Sequence, residues 1–251
     1  MLSNMKKVVL VTGSSKGIGA AIIEELALSG YDVVINYNTS KEEAYKLNDK
    51  IQRYGVKSLV IKCDISNENE VKEMMGKIID EFGVIDVVIN NAAVCLNSFF
   101  KHKTVEDFKQ TFNTNVIGAF LVSKYASKYM LNNKWGRIVN ISSTNGVNTY
   151  YPICMEYDAS KAALISLTHN LSIELSPYVN VNAIIPGFIA TDSELEGMDE
   201  EFIKQEEEKI LVKRKGQPNE VAKLVKFLIS DEANYINNSI IRIDGGQYGS
   251  N

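Results

Sequence analysis

Histidine is scarce in this chain: His102 and His169 are too few and too isolated for a metal site or a histidine-based triad. The three cysteines, Cys63, Cys95 and Cys154, are odd in number and lack metal-ligand spacing, so buried free thiols are expected and no disulfide framework. The four prolines form no proline-rich linker, and there is no low-complexity segment or internal repeat, which favours one domain over residues 1–251. No run approaches the roughly 20 apolar residues of a membrane helix, and the amino terminus lacks a signal-peptide apolar stretch. A soluble cytoplasmic protein without membrane contacts is expected. Excess positive charge is missing too: a formal charge of -4 and a pI near 5.4 argue against nucleic acid as the main partner. What the chain does have is 45% hydrophobic residues, ample for a core at this length.

It also has TGSSKGIG at 12 to 19, between the apolar run Val8-Val9-Leu10-Val11 and a stretch from Ala20 to Ala27 whose apolar residues recur at helical spacing. A strand, a glycine turn and a helix follow from that pattern. Gly13 and Gly17 let the backbone bend and approach a ligand, and Gly19 lets helix and strand pack closely. The free N–H groups and positive dipole end of the new helix suit a pyrophosphate. An ordinary Gly/Ser-rich turn would share the glycine spacing. Its place at the start of a β-α alternation is what favours a nucleotide.

The alternation continues. Strands are expected at 32–37, 57–63, 84–89, 137–141, 179–185 and 239–243, with helices at 41–54, 68–82, near 104–113, about 115–130, from Tyr157 to about Ser176, and 218–229. Repeated β-α units with short connections imply an α/β fold: one doubly wound Rossmann-type domain with a mostly seven-stranded parallel sheet and helices on both faces. The second strand ends in Asn36-Tyr37-Asn38-Thr39-Ser40-Lys41, where donors and a cation replace the acidic residue that binds a ribose 2′-hydroxyl. With Lys16 within reach of the same region, NADP(H) is favoured over NAD(H). Asn38 to Ser40 could instead cap the next helix, leaving cofactor choice open. Asp64, at the end of the third strand, could accept a hydrogen bond from an adenine amino group or cap the helix at 68.

Tyr157 and Lys161 are four residues apart and share a helix face. A neighbouring ammonium lowers a phenol's pKa, so such a tyrosine can exchange a proton with an alcohol or carbonyl oxygen. The spacing alone is unspecific, since Tyr37 and Lys41 repeat it. Tyr157 differs in following a strand that ends in Ser142 and Ser143, and Ser143 could hydrogen-bond a substrate oxygen as charge develops there. A loop serine satisfying backbone groups is the plainer role. Asn115, near a helix start, would ordinarily be a cap.

Taken together, TGSSKGIG at 12–19, NNAA at 90–93, Asn115, NISS at 140–143, YDASK at 157–161 and PGFIAT at 186–191 resemble the short-chain dehydrogenase/reductase family in order and spacing, over essentially the whole chain. Within that family the chain looks most like the bacterial 3-oxoacyl-[acyl-carrier-protein] reductases. The resemblance implies that Tyr157 is the acid or base, that Lys161 lowers its pKa and holds the nicotinamide ribose, that Ser143 orients the substrate carbonyl, and that Asn115 holds a relay water. The strand–turn–helix reading puts Gly13, Ser15, Lys16, Gly17, Ile18 and Gly19 along the cofactor, and Asn36 and Asn38 are the candidates beside a 2′-phosphate. By the resemblance, Asp64 and Ile65 would contact the adenine, Asn91 and Ala92 the adenosine ribose, and Ile189 and Thr191 the carboxamide. Reversible hydride transfer between nicotinamide and a carbonyl or secondary alcohol is the implied chemistry, in a homotetramer built through the helices 115–130 and 157–176. No metal is implied.

Three departures from the family pattern stand out. Ala93 occupies a position where the family usually has glycine, and the loop between Ser143 and Tyr157 is about one residue longer than in similar reductases. The lid expected near 188–213 is acidic, with nine carboxylates and three lysines between Thr191 and Lys213, whereas a surface for acyl carrier protein should be basic. Tyr178 stands near a position where such a reductase often has arginine, and Lys134 is a remaining candidate contact. A solvated helix face would carry the same acids. A dehydrogenase of a sugar, polyol or steroid therefore stays open beside the acyl-thioester reading, as does a non-catalytic dinucleotide sensor.

Overall fold

The computed structural model describes residues 6–147 and 150–248. Among these, seven strands form one sheet: β1 (Val8–Val11), β2 (Asp32–Tyr37), β3 (Ser58–Lys62), β4 (Val87–Asn90), β5 (Gly136–Ile141), β6 (Val179–Pro186) and β7 (Ile240–Ile243). They pair in the order β3-β2-β1-β4-β5-β6-β7, each neighbouring pair parallel. The connecting helices are α1 (Gly17–Leu28), α2 (Lys41–Ile51), α3 (Glu68–Phe82), α4 (Val105–Phe112), α5 (Ala119–Asn132), α6 (Met155–Glu174), α7 (Asp192–Leu195), α8 (Glu200–Glu208) and α9 (Pro218–Ile229).

The apolar runs in the strands reflect burial on both faces. Val9 and Val11 of β1 join a core with Ile22, Ile23 and Leu26 of α1, Leu47 of α2 and Val221 and Val225 of α9. Val8 and Leu10 turn to the other face and meet Met74 and Ile78 of α3 and Val122 and Met130 of α5. Strand order reverses between β1 and β4, and in such sheets that crevice is where ligands bind. A buried polar chain fixes the registers beside it. Asn90 Nδ2 donates to Asn140 Oδ1 at 2.8 Å and to Ser123 Oγ at 3.0 Å, and Asn140 Nδ2 donates to Thr168 Oγ1 at 2.8 Å. Each of these polar groups would be destabilising in the core without its partner.

Two expectations are revised. The helices expected at 104–113 and 115–130 are not separate: a π-helical segment, Asn113–Gly118, joins α4 to α5, so Asn115 is not a cap. The segment passes so close to the end of β3 that a Cβ at Gly118 would lie 2.7 Å from the Ile65 side chain. Cys63 and Cys154 are buried as expected, but Cys95 is exposed. Residues 148 and 149 of the longer Ser143–Tyr157 loop lie outside the described residues. No described helix is long and apolar enough to cross a membrane.

Candidate active site

The glycine turn is held from two sides by asparagines. Asn36 Oδ1 accepts from Gly13 N at 3.0 Å, and its Nδ2 donates to the carbonyls of Ile61 and Cys63. Asn91 Nδ2 donates to the carbonyls of Thr12 and Gly13, while Thr12 Oγ1 accepts from Asn91 N and Ala92 N at 3.0 and 3.1 Å. Gly13 and Gly17 both have φ of +59°, where a side chain would be strained. A Cβ at Gly19 would lie 2.6 Å from Asn91 Nδ2 and 2.8 Å from Gly13 O. The start of α1 carries no side-chain cap, in contrast to α3, α4 and α8, whose first turns are capped by Asn67, Thr104 and Asp199. Free N–H groups and a positive dipole end are thus available at Gly17, Ile18 and Gly19, with Ser15 beside them in the turn.

Here the structure corrects one assignment. Asn36 is buried, with its amide consumed by the turn and β3, so it supports the turn and does not face a ligand. Lys16 and Asn38 are exposed beside it, where charged or polar ligand groups could be met. Asp64 is not the cap of α3, a role taken by Asn67. Its Oδ1 accepts from Ser66 N and Oγ at 2.9 and 2.7 Å. The Ile65 side chain is buried against Gly118, leaving backbone as its route to a ligand. Ile189 is likewise in the core, 2.6 Å from where a Cβ on Gly216 would lie, while Thr191 caps α7 and sits 3.5 Å from the Cβ position of Gly17. The start of the 188–213 segment therefore overlies the glycine turn. Ala93 is exposed and does not have a positive φ, so its methyl carries no backbone strain.

Ser143, Tyr157 and Lys161 meet at the carboxyl end of β5. Gly146 brings the following turn so close that a Cβ there would lie 2.6 Å from the Lys161 carbonyl carbon, and Ser142 Oγ donates to the Lys161 carbonyl at 2.8 Å. Lys161 Nζ, 2% exposed as a residue, donates to Ile141 O at 2.8 Å and lies 5.3 Å from the centre of the Tyr157 ring. Burial pushes its ammonium down to about 8. Burial also pushes the Tyr157 phenol well above its ordinary value, Glu194 and Cys95 add to this, and a hydrogen bond with Ser143 pulls against it. In this arrangement desolvation outweighs the lowering expected from Lys161. Asn115 is buried: its Oδ1 accepts from Val94 N at 2.8 Å, and its Nδ2 donates to Val94 O and to Ser160 Oγ at 3.0 and 2.9 Å. Its side chain ties the segment after β4 to α6, with no side-chain donor left for a relay.

Four residues that sequence reasoning missed frame this group. Glu156, fully buried next to Tyr157, pairs with Lys103 Nζ at 2.5 Å, and their side chains are 0% and 3% exposed. Glu156 Oε1 also accepts from Leu96 N, and Lys103 donates to the Leu96 carbonyl, so the pair clamps the segment after β4 onto the start of α6. Asp158 accepts from Asn145 Nδ2 at 2.7 Å and Tyr151 N at 3.2 Å, shaping the loop before α6. The pairing of Lys103 with Glu156 has no local signal, but a charge directly before the candidate tyrosine was visible. The acids of the 188–213 segment are partly paired: Glu206 meets Lys209 at 2.6 Å and Tyr151 Oη at 3.0 Å, and Glu207 meets Lys215 at 3.0 Å.

The chain is similar to known proteins over nearly its whole length. A family model described as enoyl-(acyl carrier protein) reductase matches residues 13–247. The 3-oxoacyl-[acyl-carrier-protein] reductase FabG of Staphylococcus aureus is 36% identical over 245 residues, 97% of this chain and 99% of that protein. Among solved structures, acetoin dehydrogenase YohF from Salmonella typhimurium superposes with a TM-score of 0.87 at 33% identity, over 97% of this chain and 96% of that one. A short-chain dehydrogenase/reductase from Serratia marcescens reaches 0.90 at 31% identity, over 97% and 99%.

Proposed function

The chain belongs to the short-chain dehydrogenase/reductase family and is an oxidoreductase acting on CH–OH groups with a nicotinamide cofactor; from that premise we propose that it reduces a 3-oxoacyl thioester with NADPH. The observation that carries this reading is the convergence of Ser143, Tyr157 and Lys161 beside an uncapped helix N-terminus at the crevice between β1 and β4.

The residues present fit a dinucleotide. The turn from Gly13 to Gly19 offers free backbone donors with Lys16 exposed among them, Asp64 and the Ile65 backbone lie at the end of β3, and Thr191 stands over Gly17. When bound, the nicotinamide supplies the hydride, and the protein supplies position and a proton. Reduction makes an alkoxide of the carbonyl oxygen, so Tyr157 must arrive protonated. Its raised pKa keeps the phenolic proton at neutral pH until that stronger base forms, and Ser143 Oγ–H can donate to the same oxygen. Lys161, charged below about pH 8, then favours the phenolate left behind. Asn115 acts through Ser160 and Val94 by fixing the helix that carries both groups.

Lys16 and Asn38 support NADP(H) over NAD(H). The Staphylococcus relative supports a thioester on acyl carrier protein, and the partial neutralisation of the lid, with exposed Lys134 set 6.0 Å over Tyr178, lessens the obstacle that its acids pose. Exposed Ile117, Phe120 and Ile173 around α5 and α6 support assembly into a homotetramer, and residues 1–251 are read as one domain with a lid near 188–213. The acetoin dehydrogenase neighbour favours a second reading, a dehydrogenase of a small secondary alcohol. Initial rates of NADPH and NADH oxidation with a short 3-oxoacyl thioester, an enoyl thioester, a diketone and a sugar separate the two. Turnover on the 3-oxoacyl thioester with NADPH supports the proposal, and turnover on the diketone alone transfers the assignment to the second reading.

A further inference from the structure

We propose that Cys95 and Cys154 form a reversible intramolecular disulfide across the mouth of the active site, and that this bond switches turnover off. The thiols come from two segments that face each other there. Cys95 lies in the stretch after β4, three residues past Ala92, and Cys154 closes the turn Pro152–Cys154, three residues before Tyr157. Ser98 N donates to Ile153 O at 3.0 Å, which holds the segments side by side, and the two thiols are close enough for each to shift the other's titration. Both stand within electrostatic reach of Tyr157, and Cys95 also of Lys161.

The two sulfurs are suited to different steps. Cys95 is exposed, with Sγ 3.2 Å from Asn97 Oδ1, whereas Cys154 is buried, with Sγ 3.5 Å from Tyr151 O. The neighbouring Cys154 thiol holds the Cys95 thiol below its ordinary value, with help from Lys103 and against burial, Glu156 and Asp158. Cys154 is raised by its Cys95 neighbour and by burial. An accessible, more acidic thiol beside a resolving partner is the arrangement that oxidises selectively. Cys63, buried and pushed up to about 12, is an internal control.

The oxidant is a hydroperoxide. The Cys95 thiolate attacks the outer oxygen, the O–O bond breaks, and the sulfur leaves as sulfenic acid while the departing hydroxide takes up the proton that Cys95 released. The Cys154 sulfur then attacks the Cys95 sulfur and expels hydroxide, which leaves as water with the Cys154 proton. With hydrogen peroxide, two thiols lose two electrons and two protons and the peroxide becomes two waters. A dithiol reverses the bond by exchange.

A disulfide needs its sulfurs about 2.05 Å apart, so closing it must draw the two segments together. Tyr157 is three residues from one end, and the Glu156–Lys103 clamp transmits the pull to the start of α6. A shift of about 1 Å at the proton donor lowers turnover on the order of a hundredfold. The switch rests on the proposed role of Tyr157, whereas the bond does not.

The test uses the reduced full-length protein, exposed to hydrogen peroxide, alkylated and digested without reductant for peptide mass analysis. A Cys95–Cys154 linked peptide is expected, with Cys63 alkylated, along with at least about a tenfold fall in turnover that tracks the linked fraction and recovers in dithiothreitol. Cys95→Ser and Cys154→Ser should each keep their turnover in peroxide. The proposal is overturned by a Cys95 sulfinic acid with Cys154 still a thiol, by a link between two chains, or by a linked peptide with unchanged turnover. Peroxide inactivation of Cys95→Ser, an exposed change that leaves folding intact, would overturn it equally. Because mass detects the bond without substrate, failure of the carbonyl-reductase reading would leave the linked peptide in place.

Discussion

Replacing Lys161 with methionine should stabilise the folded chain while removing its activity. Lys161 is 2% exposed, its Nζ has one carbonyl partner, and burial pushes it from 10.5 to about 8. At about 1.4 kcal/mol per pH unit, holding the ammonium in that site costs about 3 kcal/mol at pH 7. Methionine fills similar space without the charge but leaves the Ile141 carbonyl without its donor, a loss of roughly 1–2 kcal/mol. The net expectation is a gain of roughly 1–2 kcal/mol for Lys161→Met at pH 7. The pH dependence carries the decisive sign. Below pH 8 the lysine is charged in both folded and unfolded chains, so the whole penalty is present. Between about 8 and 10.5 the unfolded chain binds more protons than the folded one, and wild-type stability rises with pH relative to the variant. Urea unfolding of both proteins without cofactor, from pH 7 to pH 10.5, measures this. A variant less stable than wild type at pH 7, or a difference that does not change with pH, would refute the reasoning.

Other substitutions address the supports. Glu156→Gln leaves Lys103 buried without its partner charge, and urea unfolding should show a loss of about 3–5 kcal/mol, largely recovered when Lys103→Met is added. Gly19→Ala drives a methyl to 2.6 Å from Asn91 Nδ2 and 2.8 Å from Gly13 O, both held by hydrogen bonds, so thermal unfolding should report a loss of about 1–3 kcal/mol together with weaker cofactor binding. With Lys16 exposed and its charge proposed to meet the 2′-phosphate, Lys16→Ala should raise KM for NADPH about tenfold while leaving KM for NADH unchanged. Equal changes for the two cofactors would remove Lys16 from that role.

The sheet was legible because the strands are rich in Val and Ile and bounded by turn residues, and β-α alternation permits few parallel arrangements. The glycine turn was legible through spacing, and positive φ at Gly13 and Gly17 gives that spacing its physical cause. Asn36 was placed on the ligand because its position at a strand end was visible, whereas the three backbone groups that consume its amide come from the turn and the neighbouring strand, near only after folding. Asn115 was read beside a helix start, whereas it lies in a π segment, packed closely against Ile65 at Gly118, with its side chain bonded to Val94 and Ser160. Lys103 and Glu156 are separated in sequence by α4, α5 and β5, so no local pattern joins them. The effect of Lys161 on Tyr157 was inferred from charge alone, and burial of both residues proved the larger influence.

Tyr157→Phe tests the account's central claim most directly, because it removes one phenolic oxygen and keeps the ring packing. Turnover of the wild-type substrate should fall on the order of 10²–10⁴-fold, while titration of cofactor fluorescence gives an unchanged Kd. A variant that turns over at near wild-type rate would contradict the assignment of Tyr157 as the proton donor.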